Sequence, residues 1–201
     1  EGYLWYSFLA WRKIMNGEWC YLNNSFTSDE CDEIVKLGLS EKLEEGMLGA
    51  QNSVVDYSYR KSKRAFINAS RETDWIFKRF WEKAAIANTD YFQIEYNQLD
   101  FIQFTSYEEG EYYHSHADLF VYETPQRKFS VTVQLTDSSE YEGGELCFEN
   151  LEEFPSDEAA LAMKEKGTAV YFPSFIRHSV SNVTKGTRYS LVAWFLGPDW
   201  K

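Results

Sequence analysis

The sequence predicts a mainly β fold with flanking helices (α+β), an antiparallel sandwich or jelly roll in which two early helices cover one sheet. Three observations predict it. Two segments with apolar residues at helical spacing lie in the part of the 201-residue chain before about Gln93. From there the apolar period becomes two. Turn signals then divide the last hundred or so residues into about seven short strands. The length suits one domain with a substantial core, read as a support region over 1–92 and a β core over 93–201.

The opening run "YLWYSFLAW" is apolar but far short of a membrane span, and no positively charged stretch precedes it. A core strand or helix, and a cytoplasmic protein, are therefore expected. In "TSDECDEIVKLG", Thr27 and Glu30 form a capping box, Cys31, Ile34 and Val35 share a face, and Gly38 is the expected stop. A second helix fits "TDWIFKRFWEKAAIAN", with Phe77, Phe80, Trp81, Ala84 and Ala85 toward the sheet. The strand pattern is clearest in "KFSVTVQLT", where Phe129, Val131, Val133 and Leu135 alternate with polar residues. Further strands fit "QLDFIQFTSY", "EYYHSHAD", "GELCFEN", "GTAVYFP", "RHSVSNV" and "TRYSLVAWFL", while "FPSDEAALAMKEKG" reads as a surface helix or long loop.

Charge and cysteine usage narrow the function classes. A net charge of −12 argues against nonspecific binding to nucleic acid or anionic membranes. Cys20, Cys31 and Cys147 are too far apart for a metal knuckle and odd in number, which favours a reducing compartment over a disulfide framework.

The chemistry concentrates in "YYHSHADLF", where His114, His116 and Asp118 fall at every second position and can share one strand face. The one histidine elsewhere is His178, just after a strand. Two imidazoles and a carboxylate with open positions make the facial arrangement of non-haem Fe(II) oxygenases. A zinc hydrolase using His114, His116 and His178, with Asp118 as base, is the alternative. Ten positions beyond His178 stands Arg188, whose planar fork suits a carboxylate.

Taken in order, "YEEGEYYHSHAD" from Tyr107, "YEGGELCF" from Tyr141, His178, Arg188 and "WF" at Trp194 resemble the prolyl 4-hydroxylase-like 2-oxoglutarate and Fe(II)-dependent dioxygenases over roughly residues 93 to 197. "FTSDECDEIVKLG" extends the likeness more weakly. The resemblance implies a double-stranded β-helix, a cupin-like jelly roll with iron between its sheets. It implies His116, Asp118 and His178 as iron ligands and catalytic centre, with His114 a neighbour at the pocket mouth. Arg188, Ser190 and Tyr107 are then implied for the distal carboxylate of 2-oxoglutarate. Collagen-type prolyl 4-hydroxylases carry lysine where this chain has Arg188, so cosubstrate use transfers more directly than proline does.

The activity so implied is hydroxylation of a substrate C–H bond, foremost a peptidyl proline. It requires Fe(II), consumes 2-oxoglutarate and O2, releases succinate and CO2, and takes ascorbate as reductant. Leu135, Leu146 and Val180 are candidate walls of the site. The cluster Arg60, Lys61, Lys63 and Arg64 reads first as a solvated hairpin, and second as a surface for an acidic or extended peptide. Arg60, Arg64 and Tyr113 are the substrate candidates, and "DLFVYETPQRKF" is a candidate lid. A peptide or protein substrate is expected, with a small molecule as the other option and neither nucleic acid nor membrane as partner. The competing class is a non-catalytic cupin-like binding protein, which would have lost part of the triad or the cation.

Overall fold

The computed structural model describes residues 17–48, 54–119 and 125–200. The run "YLWYSFLAW" lies outside the described residues, as does the middle of the candidate lid.

Strands β1 (Cys20–Leu22), β2 (Glu44–Glu45), β3 (Arg60–Lys61), β4 (Lys63–Ile67), β5 (Gln98–Tyr107) and β6 (Tyr112–His116) precede β7 (Gln126–Gln134), β8 (Tyr141–Gly143) and β9 (Leu146–Phe148). The last four are β10 (Ala169–Pro173), β11 (His178–Val180), β12 (Val183–Gly186) and β13 (Arg188–Gly197). A seven-stranded sheet runs β1-β10-β7-β13-β5-β4-β2, and a four-stranded sheet β3-β6-β11-β9 stands apart from it. The pair β12-β8 closes one end, and every pairing is antiparallel. This is the expected jelly roll. The basic segment read as a solvated hairpin supplies β3 and β4, one to each sheet.

Helix α1 (Ser28–Ser40) starts at the predicted capping box: the Thr27 hydroxyl accepts from Glu30 N, and the Glu30 carboxylate accepts from Thr27 N at 2.7 Å. It does not stop at Gly38. That residue is buried within the helix, where a Cβ would overlap the Phe104 ring, so its small size serves helix-on-sheet packing. Helix α2 (Asp74–Ala87) buries Ile76, Phe80, Ala84 and Ala87, while Trp81 is 38% exposed and Ala85 is exposed. The buried face is turned from the predicted one, because Ile76 and Ala87 extend the Phe80–Ala84 row in both directions. A π-helical turn, Asn88–Phe92, follows and buries Phe92. The two helices are tied by Arg79, whose guanidinium bonds the Glu30 carboxylate at 2.8 Å. The predicted surface helix is α3 (Asp157–Ala162), capped by the Ser156 hydroxyl. No helix among the described residues is long and apolar enough to cross a membrane.

The main core lies between the helices and the outer face of the large sheet, with Phe80, Phe104, Phe129, Val131, Val133 and Phe195 at its centre. Leu135 belongs to this core and does not line the cavity described below, unlike Leu146 and Val180. Strand β7 decides the architecture. Its apolar residues face the helices, yet Ser130, Thr132 and Gln134 between them are also buried. Polar side chains shut away from water on the inner face need partners or a ligand.

Candidate metal centre and its cavity

Strands β6 and β11 run antiparallel with His116 and His178 as direct Cα partners. Asp118 follows β6 and is pinned by its own backbone, since Asp118 N and Leu119 N both donate to Ser174 O, at 2.9 and 3.0 Å. The three side chains meet: one ligand atom from each lies within 4.8 Å of the others. Asp118 Oδ1 is 3.6 Å from His116 Nε2, and Oδ2 is 3.7 Å from His178 Nε2. These separations are too long for hydrogen bonds. They leave room for an ion among three converging donors.

Neighbours fix those donors in the required states. His116 Nδ1 faces His114 O at 2.9 Å and His178 Nδ1 faces Ile176 O at 3.0 Å. A proton on each Nδ1 then donates to a carbonyl and leaves the Nε2 lone pair free, the usual support for a metal-binding histidine. Burial first, and the adjacent His178 second, push the His116 imidazole down to about 3, so it is neutral near pH 7. Burial works against the Asp118 carboxylate, but His178, His116, Arg127 and the Ser130 hydroxyl outweigh it and hold it down to about 2. Ser130 donates to Asp118 Oδ2 at 2.7 Å and contacts the Ser174 hydroxyl at 3.0 Å. The neutral His116 imidazole beside the ionised Asp118 carboxylate is ready to bind a divalent cation.

His114 is not part of this group, although even spacing would put it on the same face. Between the pairs His178↔His116 and Val180↔Tyr113, β11 advances two residues and β6 three. A β-bulge of this kind adds one residue and reverses which side chains share a face. Tyr113 therefore joins His116, their rings stacked with centres 3.6 Å apart, and His114 is exposed beside Tyr59 and Tyr112. The zinc arrangement through His114 loses its third ligand.

A cavity of about 1000 Å³ opens from the cluster between the two sheets. Arg188 lies along it at 1% exposure, opposite Tyr107 on the neighbouring strand. Its Nη2 donates to Gln134 Oε1 at 2.9 Å, Nη1 lies 3.5 Å from Ser190 Oγ, and its Nε is buried without a partner. No ion pair joins it to any described residue. Tyr107 is buried beside it, and burial raises its phenol above the usual range against the pull of Arg60 and Arg188, which keeps it a neutral donor. The Gly-Gly of "YEGGEL" now has a reason. At φ +62, Gly144 sits where a Cβ would come within 3.0 Å of Arg188 Cδ. At φ +75, Gly143 packs directly on the Asn182 backbone.

Of the substrate candidates, Tyr113 lines the cavity, and Arg60 stacks on its ring at 4.5 Å while donating to Ser62 Oγ and Met47 O. Arg64 lines the same cavity farther along. Ser130 and Gln134 were missed by sequence reasoning. Their signal was present in the polar positions of "KFSVTVQLT", which look solvent-facing until a second sheet covers them.

The donor set fits the group that the likeness implies: two imidazoles, one carboxylate and, beside them, a buried cation with no anion. Comparison with known proteins points the same way. Residues 102–196 match the model of the 2OG-Fe(II) oxygenase superfamily. A PKHD-type hydroxylase of Prochlorococcus marinus is 34% identical over 93 residues, which cover 46% of this chain and 40% of that protein. The chain spans about half or less of the length of such relatives. Among solved structures, a Pseudomonas putida prolyl-4-hydroxylase superposes with a TM-score of 0.66 at 18% identity, over 90% of this chain and 92% of that one. A prolyl hydroxylase from Trichoplax adhaerens, in complex with a hypoxia inducible factor oxygen degradation domain peptide fragment, gives 0.70 at 16% identity, over 94% and 88%. The chain thus resembles the prolyl 4-hydroxylase-like 2-oxoglutarate and Fe(II)-dependent dioxygenases, and it shares their jelly-roll fold.

Proposed function

We infer that this chain, with its prolyl 4-hydroxylase-like core, is a 2-oxoglutarate and Fe(II)-dependent dioxygenase that hydroxylates a C–H bond, foremost of a peptidyl proline. The observation that carries the reading is the pairing of the His116–Asp118–His178 cluster with Arg188 in one cavity. A fully buried guanidinium without a carboxylate is costly to the protein alone. Its presence is explained by an anionic cosubstrate.

In this reading His116 and His178, through Nε2, and the Asp118 carboxylate hold Fe(II). Ser130 keeps the carboxylate oriented, and the carbonyls of His114 and Ile176 keep both imidazoles in the ligating tautomer. Arg188 receives the distal carboxylate of 2-oxoglutarate on its unpartnered edge, with Ser190 and Tyr107 as hydroxyl partners. When bound, the metal and cosubstrate supply the oxidation: O2 is split, one atom leaving in succinate as 2-oxoglutarate loses CO2 and the other entering the substrate C–H bond. The apolar walls Leu146 and Val180 and the ring of Tyr113 keep water from that position. Residues 1–92 serve as support and 93–201 as catalytic core of a single domain, in keeping with the contribution of β1, β2 and β4 to the large sheet.

A peptide substrate is supported by the peptide held by the Trichoplax neighbour. Another residue type or a small molecule is the second reading, favoured by arginine at position 188. Succinate formation from 2-oxoglutarate, dependent on Fe(II) and O2 and stimulated by a proline-containing peptide, is the test. Fe(II)-dependent turnover without stimulation by any proline peptide would leave the dioxygenase and remove the proline.

A further inference from the structure

The cavity holds a second cation that the reaction, as derived, does not use. Four arginines line it: Arg60, Arg64, Arg127 and Arg188. Arg188 is accounted for by the cosubstrate. Arg60 is spent on Ser62, Met47 and the Tyr113 ring. Arg127 pairs with Asp100 at 3.4 Å and covers the Trp194 ring at 3.9 Å. Arg64 makes no ion pair with a described residue, and its Nε is buried without a hydrogen-bond partner. Glu44, its cross-strand partner on β2, is exposed and does not bridge to it.

The placement of Arg64 separates it from the cosubstrate. Cross-strand register makes one row of Arg64, Thr105, Ser190 and Gln134 across β4, β5, β13 and β7. Arg64 therefore stands two strands from Ser190, roughly 10 Å at the backbone. From Arg64 an aromatic shelf extends along the cavity wall. The guanidinium lies 5.1 Å over Phe66, the ring of Phe66 is 4.9 Å from Phe101, and that of Phe101 is 5.1 Å from Trp194. Trp194 is 6% exposed and its Nε1 is a second buried donor without a partner. An extended chain laid along this wall meets the exposed Phe101 ring and the half-buried Phe66, with the Arg64 guanidinium at one end. A guanidinium in such surroundings selects a carboxylate, which it can grip with two parallel hydrogen bonds.

We propose that Arg64 is a specificity-determining residue that binds an aspartyl or glutamyl carboxylate of the peptide substrate, close in sequence to the residue that reacts. This rests on the dioxygenase reading. It adds that the preferred peptide is acidic on one side, although the enzyme itself carries a net charge of −12. Long-range charge disfavours such a peptide, so the preference comes from a local contact and is confined to one peptide position.

The test uses fluorescein-labelled proline-centred nonapeptides in which a single Asp, Asn or Lys is walked through the flanking positions. Binding is read by anisotropy on the enzyme loaded with Fe(II) and 2-oxoglutarate without oxygen, so no turnover is needed. At one position Asp binds about tenfold or more tighter than Asn, the scale of a hydrogen bond to a charged group. Arg64→Gln removes that preference, Arg64→Lys keeps part of it, and Arg64→Glu turns it toward Lys at the same position. The proposal is overturned if the wild type shows no such position, if no peptide binds, if the preference survives Arg64→Gln, or if Arg64→Lys weakens 2-oxoglutarate binding as Arg188 variants do. Absence of Fe(II)-dependent succinate formation by the wild type is a separate result, and it removes the dioxygenase reading itself.

Discussion

His116 and His178 are direct partners across β6 and β11, their ring centres 4.2 Å apart, with the Asp118 carboxylate within 3.7 Å of both. Removing any one leaves two donors, and the proposed Fe(II)-dependent 2-oxoglutarate decarboxylation is expected to be lost in His116→Ala, Asp118→Ala and His178→Ala. His114→Ala retains both metal binding and turnover. Titration calorimetry with Fe(II) or Mn(II) checks the four variants together, and loss of binding in His114→Ala would reverse the ligand assignment.

Ser130 is not one of the three donors and reaches the cluster through its hydrogen bond to Asp118. Ser130→Ala is therefore expected to weaken metal affinity about 10- to 100-fold, as loss of a supporting hydrogen bond does elsewhere, and excess Fe(II) restores most of the rate. A defect that saturating metal leaves unchanged would place Ser130 in the reaction itself.

Arg188 carries opposite consequences for function and stability. On the proposed role, Arg188→Ala is expected to raise the 2-oxoglutarate concentration needed for half-maximal rate by one to two orders of magnitude, from loss of a charged hydrogen bond of roughly 1.5–3 kcal/mol. Arg188→Met, by contrast, stabilises the protein without metal or cosubstrate by about 1–4 kcal/mol, because a buried unpaired charge is replaced by an apolar chain of similar length. Urea unfolding in the presence of a chelator measures the second effect. Gly144→Ala pushes on Arg188 Cδ from a left-handed backbone position and is expected to raise the cosubstrate requirement as well.

Cys20 and Cys31 are buried, and burial pushes both thiols up to about 12 from an ordinary 9.0. Above pH 9 the unfolded thiols ionise while the folded ones stay protonated. The folded state then binds more protons, and stability falls as pH rises from about 9 to about 12, having been fully present below 9. The double variant Cys20→Ala, Cys31→Ala flattens that stretch of the profile, measured by urea unfolding at pH 8, 9.5 and 11. In the native protein a thiol reagent modifies Cys147 alone, since it is the exposed one.

Much of this was legible in the residues. The apolar period of two beyond Gln93 pointed to strands, and "QLDFIQFTSY" is a strand from end to end, while β1, β2 and β4, which lie earlier in the chain, also join the large sheet. His116, Asp118, His178 and Arg188 could be named because their order along the chain matches a known family. Three things were hidden. The bulge in β6 is set by pairing with β11, so spacing alone gave His114 the same face as His116. Gly38 looked like a helix stop because its constraint comes from Phe104, 66 positions away. The segment of β4 reads first as solvated, and only second as a peptide surface, because charged residues normally mark a surface. Here Arg64 faces a cavity that forms only when two sheets close over it.

A crystal structure with Mn(II) and 2-oxoglutarate tests the central claim most directly. The account predicts the ion on His116, Asp118 and His178, with the distal carboxylate of 2-oxoglutarate on Arg188. An ion held through His114, or a cosubstrate carboxylate placed away from Arg188, would contradict it.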